Sequence, residues 1–155
     1  RLLKKHSVPG AAVALFVDEE AVFAYREFEE LHPTNEKTPY AVFQIGRCYF
    51  VQIDTIDRDQ TPALKAIEAY ERLIKHHPDD PLTKDVLGKI RICQKSLAEN
   101  QFYIGKFYYR TKHYKSALVR FQSVASTWSD FPEIQAKALT YIELCEAAIL
   151  KKDQN

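Results

Sequence analysis

Asp57-Arg58-Asp59-Gln60-Thr61, with Glu68 eleven positions after Asp57, has the acid spacing of part of a calcium-binding loop. The sixth position of such a loop needs glycine for its sharp turn, but Pro62 stands there, and Glu68 falls inside a helical pattern. Calcium is therefore set aside, and Asp59 or Thr61 is expected to cap the next helix while the aspartates hold Arg58 in a folded loop. His76-His77 and Asp79-Asp80 place four metal-competent side chains close together in sequence. Neighbouring residues on a helix do not face one site, and no further ligand follows at a metal spacing. They read as a solvated helix end where cationic histidine suits the dipole. Cys48, Cys93 and Cys145 lie far apart inside helical patterns, which predicts small buried thiols and neither a disulfide framework nor a zinc site. The pairs Glu19-Glu20 and Glu29-Glu30 read as solvated faces. No HExxH, GxSxG or phosphate-cradling glycine loop occurs. The expectation is a protein without catalytic residues, metal or cofactor, and not an enzyme.

Composition narrows what the chain can be. A 46% hydrophobic and 28% charged content is globular, and four glycines with no strand-like Val/Ile/Thr run favour helices throughout. A net charge of +1 gives no general basic field for nucleic acid. The longest apolar run, 11–17, falls well short of the roughly 20 residues of a membrane span. The chain opens on Arg1 without Met, which predicts a fragment or mature product with any signal peptide or lipid-anchor cysteine upstream.

The elements show a repeat. In 98–129, Gly105 and Tyr108 are followed by Tyr114, Ala117 and Phe121. The small residue lets a paired helix approach, the aromatics fill the space between, and Ala117 keeps the second helix tight. This is the helix–turn–helix grammar of a tetratricopeptide unit, with a period of about 34 residues. Gly46 and Tyr49 repeat the spacing, followed by Ala66, Tyr70 and Leu73. Gly46 to Ala66 is eight residues longer than Gly105 to Ala117, so 54–61 is an inserted loop. Ala21, Tyr25 and Pro33 mark a partial unit over about 11–33, behind a frayed end or loop at 1–10. Thr38 caps and Pro39 opens the helix of the repeat at about 39–78. The apolar positions of 82–97 run without a breaker into 98–129. A single helix over about 82–111, roughly 45 Å long, is predicted. A capping helix at 132–150 ends an all-α, single-domain, right-handed superhelix of stacked antiparallel pairs.

The segments IDRDQTPALKAIEAYERLIKHHPDDP and LAENQFYIGKFYYRTKHYKSALVRFQSV resemble the BamD-like family of outer-membrane β-barrel assembly lipoproteins, and the similarity covers most of 18–148. The inserted loop and the long helix carry it more specifically than the repeat spacing does. The resemblance implies a non-enzymatic periplasmic scaffold, lipid-anchored to the outer membrane in its full-length form. Its partners would be a POTRA domain of the central barrel-assembling protein, other assembly-machine lipoproteins, and the C-terminal signal of unfolded barrel proteins. Pro9 falls where a first unit's helix should run, so the N-terminal repeats are expected to be absent or degenerate.

The repeat phase turns Tyr40, Phe43, Arg47 and Phe50, then Phe102, Lys106, Tyr109 and Arg110, toward the concave face. Aromatics interleaved with cations suit an extended peptide with apolar side chains and a free carboxylate. Arg120, in the sequence VRF, matches the family's arginine at that position, and the resemblance implies that it pairs with a carboxylate of the POTRA partner. Lys112, His113 and Lys115 flank it as a rim. The competing expectation is a generic peptide-binding adaptor for another C-terminal tail.

Overall fold

The computed structural model describes residues 10–154, with side chains from residue 19 onward. The expectation for residues 1–9 lies outside them, while Gly10 opens a helix instead of ending a loop. Among the described residues the chain is all-α, consistent with tetratricopeptide-like repeats. Its helices are α1 (Gly10–Leu31), α2 (Thr38–Phe50), α3 (Thr61–His76), α4 (Leu82–Arg110), α5 (Tyr114–Thr127) and α6 (Pro132–Asp153). The long helix expected over 82–111 is α4, 29 residues without a proline and about 43 Å long. By its contacts the chain divides into two compact units. The first holds α1, α2, α3 and α4 as far as Cys93; the second holds the loop Asp54–Gln60, α4 from Gln94, α5 and α6.

In the first unit α1 packs on α2 and α2 on α3. Ile45, Ala66, Tyr70, Leu73 and Val86 are buried there, each large aliphatic side chain contributing about 1.5–3 kcal/mol by leaving water. Arg72 of α3 donates from Nε and Nη2 to the two carboxylate oxygens of Glu29 on α1, at 2.9 and 3.0 Å. Two turns of the unit share one design. His32-Pro33 and His77-Pro78 end α1 and α3, and Thr38 and Thr83, six residues after each histidine, donate their hydroxyls to the His32 and His77 carbonyls. Inside each turn a carboxamide or carboxylate accepts a backbone N–H at 2.9 Å, Lys37 to Asn35 and Leu82 to Asp80. The N-cap of α2 is thus Lys37, and Thr38 is not the cap: its hydroxyl reaches back to α1.

The second unit is built on aromatic rings. Tyr141 of α6 stacks on Phe121 of α5 at 4.8 Å, and meets Phe102 and Tyr109 of α4 edge-on at 5.5 and 5.3 Å. The inserted loop is pinned by Gln60, whose Nε2 donates to the Thr55 and Arg58 carbonyls and whose Oε1 accepts from Ser96 at 2.8 Å. Asn100 donates to the Ile56 carbonyl. The α4–α5 connection closes as a Schellman turn: His113 N–H reaches the Tyr108 carbonyl at 2.9 Å and Lys112 N–H that of Tyr109 at 3.0 Å. Lys112 occupies the left-handed position there, at φ 62°.

Candidate partner-binding face

The eight expected groove positions fall four in each unit. On α2, Tyr40 is 52% exposed and Arg47 exposed, whereas the Phe43 and Phe50 rings lie against buried Tyr70 at 6.1 and 6.4 Å. Phe50 also sits beneath the Lys89 ammonium at 5.0 Å. Burial pushes the Tyr25 hydroxyl upward, with Tyr40 and Cys48 adding to the rise and Arg47 opposing it. The α1 residue Tyr25 therefore shares its surroundings with Tyr40 and Arg47, which its helical spacing alone did not reveal. On α4, Phe102 and Tyr109 are half-buried in the ring cluster and serve packing, Lys106 is half-buried, and Arg110 is exposed. The outward aromatics of that stretch are Tyr103 and Phe107, which the repeat phase did not select.

Arg120 donates from Nη1 to Oε1 of Gln101 at 2.9 Å, which anchors one corner of the guanidinium. With Tyr108, Ser116, Val119 and Ser123 it lines a shallow hollow. The guanidinium carries five donors in a planar fork, suited to a carboxylate. Lys112, His113 and Lys115 lie instead along an adjoining hollow that shares Ser116 and extends to Lys152 of α6. The His113 ring meets Tyr108 edge-on at 6.3 Å and its Nδ1 lies 3.0 Å from the Thr111 hydroxyl.

The remaining chemical candidates have structural employment. The Thr55 hydroxyl holds the Asp57 carboxyl below its ordinary range. His77 and Asp80 serve the turn into α4. Burial pushes the Cys93 thiol up to about 11 and raises Cys145 as well, so both are protonated and poorly nucleophilic near neutrality. Among the described residues no helix is long and apolar enough to cross a membrane.

Two curated relatives are similar to this chain, each an outer membrane protein assembly factor BamD. The protein of Caulobacter vibrioides is 30% identical over 117 residues, 74% of this chain and 38% of that protein. The protein of Rickettsia prowazekii is 29% identical over 110 residues, 71% of this chain and 44% of that protein. The chain thus spans about two fifths of the length of these relatives. The family model YfiO, described as outer membrane lipoprotein, matches residues 17–154. The chain belongs to the YfiO outer membrane lipoprotein family.

Proposed function

We propose that this chain is a non-enzymatic scaffold of the outer-membrane β-barrel assembly machinery, working at the periplasmic face of the membrane and lipid-anchored in its full-length form. It holds a POTRA domain of the barrel-assembling protein through Arg120, and its mechanism is positional. The observation that carries the reading is the Arg120 guanidinium, steadied by Gln101 at the wall of an open hollow in a chain of this family. An anchored fork loses less conformational freedom when it engages a carboxylate. On the first unit the outward Tyr40 and Arg47 receive the C-terminal segment of unfolded barrel proteins, the arginine taking its carboxylate.

Calorimetric titration with the POTRA domains of the same organism tests the interface. Binding by the wild-type chain that Arg120→Glu weakens at least about thirtyfold supports it, since breaking a hydrogen-bonded interfacial charge pair costs about 2–5 kcal/mol. Unchanged affinity in the variant removes Arg120 from the interface. A folded chain that binds no POTRA domain leaves the generic peptide adaptor.

A further inference from the structure

We propose that the hollow between the start of α5 and the end of α6 receives an acidic peptide segment of a protein partner. This deepens the scaffold reading and rests on it for the existence of that partner. Lys112, Lys115 and Lys152 border a concavity of about 290 Å³. Among the described residues none of the three lies in an ion pair, and the only acid on the wall is Asp153. Three like charges facing a single acid leave an excess of positive charge that repels itself and acts against the compact state. They are offset when an anionic partner enters.

The walls fit a peptide. Tyr114 and Ile149 give apolar surface beside the ammonium groups, and Ser116 gives a hydroxyl. The His113 side chain caps none of the first N–H groups of α5, so backbone donors at this end add to the positive potential. Concavity decides the class of partner. A flat anionic bilayer touches protruding side chains, whereas a glutamate or aspartate on an extended chain enters a walled hollow.

The probe is a fluorescently labelled hexaglutamate peptide, followed by anisotropy at low salt. Lys112→Glu and Lys152→Glu are each expected to weaken binding about three- to fivefold, the upper end of what an exposed ion pair allows. Lys137→Glu carries the same charge change elsewhere on α6, at an exposed position, and is expected to stay within about twofold. Circular dichroism confirms that each variant is folded. Equal losses in all three variants, or no peptide binding by the wild-type chain, overturn the assignment. So does binding to mixed phosphatidylcholine and phosphatidylglycerol vesicles without peptide binding, when the two hollow variants abolish it. The assay contains no POTRA domain, so it succeeds or fails independently of the Arg120 titration.

Discussion

Gly46 lies so close to the Tyr70 ring that a Cβ on the glycine would stand 2.6 Å from Cδ1. Gly105 stands in the same relation to Phe121, with Cε1 at 2.7 Å from such a Cβ. Each unit therefore seats a fully buried ring of one helix on a glycine of another. Gly46→Ala and Gly105→Ala are each expected to destabilise the chain by about 2–3 kcal/mol, the range of overpacked cores. Gly88, also inside a helix, meets nothing within 4 Å. Gly88→Ala is expected to stabilise by about 0.8–1 kcal/mol through helix propensity alone. Urea denaturation of the three variants checks the contrast, and a uniform response would refute the close-approach explanation.

The Tyr70 hydroxyl is buried with no hydrogen-bond partner among the described residues. Tyr70→Phe removes an unsatisfied polar group while keeping the ring, and is expected to stabilise by about 1 kcal/mol. A loss of stability on the same scale would mean that the hydroxyl has a partner in solution.

The neighbouring Cys93 gives a pH dependence. Burial raises its thiol from 9.0 to about 11, so the unfolded chain releases this proton first. Its contribution is fully present below about 9 and is lost as pH rises through about 11, because the folded state binds more protons in that window. Burial raises Tyr70 in the same direction. Chemical denaturation across this range is expected to show stability falling with pH, with a shallower slope in Cys93→Ala.

How far the sequence reached differs between helices and sites. The long α4 and the glycine–ring pairs were legible because spacing decides them: Ala66 to Tyr70 repeats Ala117 to Phe121. The twin His-Pro turns were equally readable, as His-Pro-x-(Asn/Asp)-x-x-Thr at 32–38 and 77–83, but a capping rule applied to Thr38 alone concealed them. The ring cluster was not legible. Repeat phase assigned Phe102 and Tyr109 outward, while the position of Tyr141 on α6 turns them into packing residues. Which faces a terminal helix covers depends on tertiary placement, and no local pattern records it. The Gln101 anchor of Arg120 bridges 19 residues and has the same cause.

The Glu29–Arg72 pair joins α1 to α3 by two hydrogen bonds, with side chains 21% and 27% exposed. Exposure of that degree limits its worth. Arg72→Ala is expected to cost about 1 kcal/mol, and Arg72→Lys to recover less than half, because an ammonium cannot reproduce the paired geometry. A double-mutant cycle with Glu29→Gln measures the coupling.

Lys112 holds a left-handed conformation at the end of α4, where glycine is the usual residue. Lys112→Gly is expected to raise stability by about 1 kcal/mol. The same change is expected to weaken hexaglutamate binding, since one of three ammonium groups is removed. Thermal denaturation and anisotropy on one preparation report both effects, and stabilisation without weaker binding would separate Lys112 from the hollow.

The central claim, that the second unit presents the partner-binding face, is tested most directly by site-specific photocross-linking in cells making the full-length protein. Benzoylphenylalanine replaces Val119, 64% exposed beside Arg120, or Leu64, 56% exposed on α3 of the first unit. Cross-links from position 119 to the barrel-assembling protein, with none from position 64, are the predicted result. Cross-links from position 64 alone would contradict it.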